Sequence, residues 1–203
     1  MDFFQDFALK TLNVNAGKIR YRSYGKGPAL LMLHGNPQTH VMWHKVAPKL
    51  VDNFTVICPD IPGYGKSFKP KITENHFPHS KVKMAADMLE FITNLGYNTF
   101  YILAHDRGAR IAHRLALDFP NKVTKMILLD IIPTIEHFER TNMDFAMGYY
   151  HWFWLAQRNP IPESGKQGYP GLYSETNPLG YYTYRIVIKQ QEQEYYNVYL
   201  PGF

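Results

Sequence analysis

The sequence predicts an α/β fold with a mainly parallel sheet and helices on both of its faces. Short apolar runs alternate along the chain with stretches of helical periodicity, and polar residues suited to chemistry directly follow several of the apolar runs. Alternation of this kind indicates parallel strands joined by helices, with ligand sites beyond the carboxyl ends of the strands. We therefore expect the functional residues at that end of the sheet.

Six segments are predicted to be strands. Residues 11–15 and 18–22 alternate polar and apolar side chains around Ala16 and Gly17, a pattern typical of a half-exposed hairpin. The other four segments are almost entirely apolar, as is typical of strands that are buried on both faces. They cover residues 29–33, 54–58, 100–104 and 123–129.

Two long helices are predicted between these strands. Residues 80–95 carry apolar side chains at a helical spacing and are followed by Gly96, and residues 108–119 are closed by Pro120. The composition changes after about residue 135. There the aromatic segment 143–155 is predicted to be helical, and a Pro- and Gly-rich stretch follows it.

Composition and charge exclude several classes of function. The chain of 203 residues fits one domain, and its net charge of +5 comes from scattered Lys and Arg residues, so we expect no nucleic-acid partner. The single cysteine, Cys58, cannot form an internal disulfide. We find neither a signal-peptide pattern nor an apolar run of the length that spans a membrane. We expect a cytoplasmic enzyme that does not bind membranes.

The segment 101–110 places Asp106 in a predicted turn between a buried strand and a helix. The small residues Ala104 and Gly108 flank it, as the tight backbone of a nucleophile elbow requires. The N-terminus of the following helix stabilises an anion there. Asp in place of Ser implies a carboxylate that attacks carbon and forms an alkyl ester. The simpler alternative is that Asp106 only caps the helix.

Two further motifs follow predicted strands. The segment 34–38, His-Gly-Asn-Pro-Gln, lies where a loop that completes an anion-binding hole is expected. The segment 60–67 ends in Gly-Lys-Ser like a phosphate-binding loop, but Asp60 stands where that loop requires its first Gly. The second motif therefore argues against a phosphate site.

With these three motifs in this order, the chain resembles the α/β-hydrolase superfamily, and within it most closely the fluoroacetate (haloacetate) dehalogenases. The resemblance runs from about residue 7 to residue 163, and the run His-Asp-Arg-Gly-Ala-Arg at residues 105–110 is its most discriminating match. Epoxide hydrolases and haloalkane dehalogenases typically carry Trp at the position of Arg107. Asn36 departs from the pattern, because the haloacetate enzymes usually have an aromatic residue there.

The resemblance implies that Asp106 displaces halide from the α-carbon of a haloacetate. Arg107 and Arg110 lie three residues apart at the start of one helix and would bind the carboxylate of this small substrate. Asn36 would belong to the loop of the anion hole. Arg114 continues the same stripe, but we expect it to form a structural ion pair or to lie at the surface.

The remaining implied roles fall on later residues. Asp130 would be the acid that orients a catalytic histidine. His151 and Trp152 would donate hydrogen bonds to the departing halide, with Tyr199 as a third donor. The chemistry needs neither a cofactor nor a metal, and the resemblance implies a homodimer for full-length members.

The order of this fold, nucleophile then acid then histidine, requires a histidine far beyond Asp130. The last of the nine histidines is His151, and His137 follows Asp130 too closely to serve. We therefore expect a C-terminally truncated or frame-shifted chain that lacks the final strands and helices. On this interpretation residues 1–135 are the N-terminal portion of the hydrolase core, and residues 136–203 are a partial helical cap with an atypical tail.

Two alternatives stay open at this stage. Epoxide hydrolysis uses the same attack by Asp, with two cap tyrosines that protonate the epoxide oxygen. Candidate tyrosines are Tyr149, Tyr150, Tyr173 and Tyr182. The two arginines argue against this function, because a neutral epoxide offers a guanidinium group nothing to bind. The other alternative is a degenerate hydrolase domain without catalytic activity.

Overall fold

The computed structural model describes residues 4–155, and at residues 151, 154 and 155 the backbone alone. The described residues belong to two compact units that divide between Ile131 and Ile132. The first unit contains the sheet and the two long helices, and the second contributes three short helices. Every helix in this part of the chain is too short or too polar to cross a membrane.

The first unit is built on a sheet of six strands in the order β1-β2-β4-β3-β5-β6. The strands are β1 (Ala8–Val14), β2 (Gly17–Gly25), β3 (Ala29–Leu33), β4 (Thr55–Pro59), β5 (Phe100–His105) and β6 (Val123–Leu129). The hairpin β1–β2 and the pair β2–β4 are antiparallel, whereas the pairs β4–β3, β3–β5 and β5–β6 are parallel. The predicted hairpin and the mainly parallel sheet are confirmed.

Helices connect these strands and follow them. The α-helices are α1 (Lys81–Asn94), α2 (Asp106–Asp118), α3 (Thr134–Glu139), α4 (Met143–Gly148) and α5 (Tyr150–Leu155), and shorter 3-10 turns cover His40–Lys45, Ala47–Lys49 and Phe77–His79. The helix α1 agrees with its prediction, because the Ser80 hydroxyl caps it by accepting the Lys83 N–H and Gly96 follows its end with a φ of +94°.

Two helix predictions need correction. The helix α2 begins at Asp106, two residues before the predicted start, so the proposed nucleophile is part of its first turn. The aromatic segment 143–155 is not one helix but two, α4 and α5, which are interrupted at Tyr149. Gly148 ends α4, and glycine is among the weakest helix formers, roughly 1 kcal/mol poorer than alanine.

The hydrophobic core lies on both faces of the sheet. In β3 the side chains of Leu31 and Leu33 belong to one cluster, which includes the buried faces of α1 and α2. Leu30 and Met32 belong to the other cluster, around Trp43. All five residues of β3 are buried, as predicted for a central strand of a parallel sheet.

The burial predicted for β6 is wrong for the described residues. Met126, Ile127 and Leu129 are 37%, 60% and 38% exposed, although their apolar sequence matches that of the buried strands. Within the described part of the chain β6 lies at an edge of the sheet and pairs only with β5. An apolar run thus predicted the strand correctly but not its position in the sheet.

Phe91 joins α1 to the hairpin, since its buried ring makes an edge-to-face contact with Tyr21 on β2 at a centroid distance of 5.1 Å. We expect Phe91→Ala to lower the free energy of unfolding by about 3–5 kcal/mol, because it leaves a cavity in the core. Val82→Ala on the same helix is the control, because Val82 is 41% exposed and should cost less than about 0.5 kcal/mol. Chemical denaturation measures both, and equal losses would contradict the core assignment.

Candidate active site

Asp106 lies in a strained turn at the junction of β5 and α2. Its φ of +47° is in the left-handed region, which non-glycine residues rarely adopt. His105 precedes it in an extended conformation, so the chain reverses direction within one residue. This geometry is that of a nucleophile elbow, and it presents the side chain of residue 106 at the carboxyl end of the sheet.

Two glycines allow another loop to approach this turn. A Cβ atom added at Gly35 would lie 2.5 Å from the Asp106 Cβ, and one added at Gly108 would lie 2.5 Å from the Leu33 carbonyl oxygen. Contacts of that length do not occur between real atoms, so a side chain at either position would force the β3 loop away from α2. The absence of a side chain at these two glycines therefore allows the loop 34–38 to pack against the elbow.

This loop donates a hydrogen bond to the nucleophile candidate. The Asn36 backbone N–H donates to Asp106 Oδ1 at 2.7 Å, and the Asn36 side-chain oxygen accepts from the Tyr64 hydroxyl at 3.1 Å. The peptide bond between Asn36 and Pro37 is cis. Within the described residues, the second carboxylate oxygen of Asp106 has no hydrogen-bond donor. Among the described residues, one Asp106 oxygen thus accepts a hydrogen bond from the loop and the other accepts none.

His34 connects the two loops that follow β3 and β4. Its ring is fully buried, with Nδ1 donating to the Gly35 carbonyl at 2.9 Å and Nε2 accepting from the Ile61 N–H at 3.0 Å. Burial lowers the pKa of His34 to about 4, and the nearby Asp60 and Asp106 only partly oppose this shift. His34 is therefore a neutral structural residue at ordinary pH.

Asp60 explains why the segment 60–67 is not a phosphate loop. Its buried carboxylate accepts hydrogen bonds from the His40 N–H at 2.9 Å, from His40 Nδ1 at 2.7 Å and from the Lys66 N–H at 3.1 Å. Although burial opposes ionisation, His40 and His34 hold the pKa of Asp60 well below its usual range. The protein's own carboxylate therefore occupies the position that a bound phosphate would need.

Arg107 and Arg110 lie in the first two turns of α2, and both are half-buried. Burial and the positive charge of Arg107 lower the pKa of Arg110, and the Asp106 carboxylate opposes this shift. Burial raises the pKa of the Tyr64 hydroxyl, and Arg107, which lies within reach of this hydroxyl, partly opposes the shift. Arg114 instead forms an ion pair, with its Nε 2.7 Å from Asp118 Oδ2, as the sequence predicted.

A cleft of about 260 Å³ lies beside Arg107 and contains a cation that the sequence analysis missed. Lys81, the first residue of α1, lines this cleft together with Tyr64, Lys69 and His79. Only the packing of α1 against α2 brings Lys81 close to the elbow, which lies 25 residues farther along the chain. No spacing rule within the sequence connects the two positions.

Asp130 directly follows β6, next to the elbow strand β5, and has a φ of +55°. Its side chain is 84% exposed, and the nearest histidine nitrogen is Nε2 of His105 at 3.8 Å, beyond hydrogen-bonding distance. His105 itself contacts Gln38 Oε1 at 3.1 Å through Nδ1. The described residues thus provide an acid in the expected place without a histidine bonded to it.

Two of the predicted halide ligands, His151 and Trp152, lie in the second unit. The Trp152 ring is part of an aromatic cluster with His137, Phe145 and Tyr149, at a centroid distance of 5.2 Å from His137. The side chain of His151 lies outside the described residues, as does all of Tyr199. The ring contacts of Trp152 with these three residues are those of aromatic packing.

Comparison with known proteins identifies the family. The family model described as the alpha/beta hydrolase fold matches residues 28–175. The chain belongs to the α/β-hydrolase family. A curated relative of this hydrolase, the fluoroacetate dehalogenase of Burkholderia sp., is 43% identical over 160 residues, which are 79% of this chain and 53% of that protein. The predicted resemblance to this group of dehalogenases is thus confirmed.

Other relatives of the hydrolase represent neighbouring functions. The soluble epoxide hydrolase of Corynebacterium sp. (strain C12) is 37% identical over 59% of this chain and 40% of that protein. A solved candidate alpha/beta hydrolase from Nostoc sp. PCC 7120 superposes with a TM-score of 0.85 at 41% identity, covering 96% of this chain and 67% of that one. The chain spans about half the length of the curated relatives that it matches.

The close approach at the elbow makes Gly108 a sensitive position. We expect Gly108→Ala to lower the free energy of unfolding by about 1–3 kcal/mol, because the backbone oxygens that it would meet cannot move without moving β3. Gly148→Ala is the control, since no atom lies within 4 Å of the added Cβ, and we expect it to be neutral or slightly stabilising. Thermal and urea denaturation report both effects, and equal stability of the two variants would contradict the close packing.

Burial of neutral His34 predicts loss of stability in acid. The unfolded chain binds a proton as the pH falls through about 6.5, whereas the folded chain resists until about pH 4. Stability should therefore fall between these values, by about 3 kcal/mol in all, and this contribution should level off below them. Urea denaturation at pH 7 and pH 4.5 should show a smaller decrease for His34→Gln. The exposed His76 supplies the control His76→Gln, which should retain the full decrease.

Proposed function

We propose that the hydrolase removes halide from a small haloacetate through an ester at Asp106. The arrangement of Asp106 with Arg107 and Arg110 carries this proposal, because an anionic nucleophile and two cations lie in the opening turns of one helix. The relative named fluoroacetate dehalogenase supports the same reaction class.

The attack would use the Asp106 oxygen that has no donor among the described residues. This oxygen forms a bond to the α-carbon of the haloacetate, and the carbon–halogen bond breaks with its electron pair leaving on the halide. The Asn36 N–H, 2.7 Å from the other oxygen, keeps the carboxylate oriented. In a later hydrolysis step the same N–H would stabilise the oxyanion that forms when water attacks the ester carbonyl.

The two arginines would bind the substrate carboxylate and bring its α-carbon to Asp106. Each charge-assisted hydrogen bond of this kind contributes about 1.5–3 kcal/mol. Without them the anionic substrate would be repelled by the anionic nucleophile that it must approach. This electrostatic requirement distinguishes a haloacetate site from one that takes a neutral haloalkane.

The proposed roles of the other residues follow the resemblance. His151 and Trp152 would replace the water lost by the departing halide, and Asp130 would orient the histidine that activates the hydrolytic water. The sequence contains no histidine beyond residue 151. For the chain of 203 residues we therefore propose formation of the ester without efficient hydrolysis.

The second candidate function is epoxide hydrolysis, which the relative named soluble epoxide hydrolase favours. It uses the same Asp106 attack, and two of its candidate tyrosines, Tyr149 and Tyr150, lie in the second unit. The two arginines favour the haloacetate, because an epoxide has no carboxylate for them. Ester formation from styrene oxide with no reaction of haloacetates would reverse this order.

Intact mass measurement after incubation with fluoroacetate or chloroacetate tests the proposed reaction. We expect one carboxymethyl group per chain, one halide released, and no continued release, because the ester accumulates. Peptide mapping should place the group on Asp106. Cys58 should remain unmodified, because burial raises the pKa of its thiol far above the ordinary range. Halide release over many turnovers would contradict the accumulation, and an unmodified Asp106 would contradict the reaction.

Matched variants connect this result to the site. Asp106→Asn should form no ester, and Arg107→Met or Arg110→Met should slow ester formation at least tenfold through weaker substrate binding. Arg114→Met is the control on the same helix, since Arg114 pairs with Asp118 and should be dispensable for the reaction. Equal losses in all three arginine variants would indicate a general loss of structure.

A further inference from the structure

Lys81 is a cation without a strong acceptor. Its only hydrogen-bond contact in the described part of the chain is with the Met84 sulfur at 3.8 Å, and a thioether is a weak acceptor. Lys69, which lines the same cleft, differs in that its ammonium donates to the Gly65 carbonyl at 2.7 Å and to the Ser67 carbonyl at 3.0 Å. Lys69 therefore stabilises the loop that contains Gly65 and Ser67. The Lys81 ammonium, in contrast, makes no hydrogen bond to an oxygen of the described residues.

The surroundings of Lys81 disfavour its charge. Burial, together with the positive charges of Arg107 and Arg110, lowers the pKa of Lys81 to about 8, and Asp106 alone opposes the shift. The positive charges of Lys81 and Arg107 thus lie close together in the cleft that both residues line. A second anion would relieve the repulsion and accept the hydrogen bonds that the Met84 sulfur accepts poorly.

We propose that Lys81 is the third cation of the carboxylate site and binds the substrate carboxylate together with Arg107. The cleft of about 260 Å³ that both residues line is larger than an acetate ion requires, so it can hold the carboxylate. This inference rests on the proposed function, because it assigns the carboxylate of that substrate to a third residue. Lys81 makes the site selective for anions and does not take part in bond breaking.

The position of Lys81 predicts a pH dependence of carboxylate binding. The ammonium loses its proton as the pH rises through about 8, so affinity should be high below that value and should fall above it. The other titratable groups that line the cleft are Tyr64, Lys69, His79 and Arg107. The charges of Arg110 and Asp106 also act on Lys81. Bound carboxylate should raise the pKa of Lys81, because an opposite charge favours the ammonium form.

Acetate is the probe, because it carries the carboxylate without a leaving group. Its dissociation constant is measured by calorimetric titration from pH 6.5 to pH 9.5 with the 203-residue chain and three variants.

We expect the unaltered chain to lose affinity for acetate as the pH rises through about 8. Lys81→Met should bind acetate about tenfold more weakly at pH 7 and show no such step. Lys81→Arg should bind tightly over the whole range, because its charge persists. Lys10→Met, at an exposed position on the far edge strand β1, should match the unaltered chain.

The outcomes separate this inference from the proposed reaction. If Lys81→Met still binds acetate and its affinity still falls through about pH 8, the proposed role of Lys81 is wrong. This holds even if the unaltered chain forms the ester at Asp106. An absence of acetate binding to the unaltered chain would overturn that role as well. Conversely, the unaltered chain could bind acetate but form no ester, while Lys81→Met loses acetate binding. That result would support the anion site and reject the dehalogenation. Urea denaturation should show no loss of stability in Lys81→Met, which excludes unfolding as the cause.

Discussion

The close contact between the β3 loop and the first turn of α2 is the constraint on which the site depends. Gly35 and Gly108 permit it, because a Cβ at either position would overlap atoms of the opposing segment. The contact brings the Asn36 N–H to the Asp106 carboxylate and holds Asp106 in its left-handed conformation. The strain of that conformation, of order 1–3 kcal/mol, is maintained by packing on both sides of the turn. The same packing that stabilises the fold thus fixes the conformation of the proposed nucleophile.

The carboxylates of Asp60 and Asp106 follow two strands of the same sheet but differ in burial and in hydrogen bonding. Asp60 is fully buried, and its oxygens accept hydrogen bonds from His40 and from the backbone of its own loop, so its charge is used to hold two loops together. Asp106 is half-buried and accepts one hydrogen bond from the described residues. Complete hydrogen bonding lowers the reactivity of a carboxylate, whereas incomplete hydrogen bonding preserves it. The contrast supports Asp60 as a structural residue and Asp106 as the nucleophile.

Local patterns predicted the parts of this structure that depend on nearby residues. The hairpin, the strand β3, the helix α1 and the turn at Asp106 all follow from residues within a short stretch of chain. Features that depend on distant partners were not predictable. The exposure of β6 depends on which strands pair with it, and the approach of Lys81 to Arg107 depends on the packing of α1 against α2. The break between α4 and α5 was missed because the aromatic segment 143–155 was predicted as one helical segment.

The charges at the elbow distinguish binding from bond breaking in the proposed reaction. As the ester forms, Asp106 loses its negative charge and the departing halide gains it, so the total charge facing the cations stays constant. The substrate carboxylate keeps its charge throughout. Arg107, Arg110 and Lys81 therefore stabilise the bound substrate and the transition state to a similar degree, and such uniform binding increases affinity more than the rate of the chemical step. Acceleration of that step requires donors directed at the halide, where negative charge develops. In the proposed reaction, the cations at the start of α2 would therefore determine which substrate binds, whereas donors directed at the halide would accelerate its departure as Asp106 attacks.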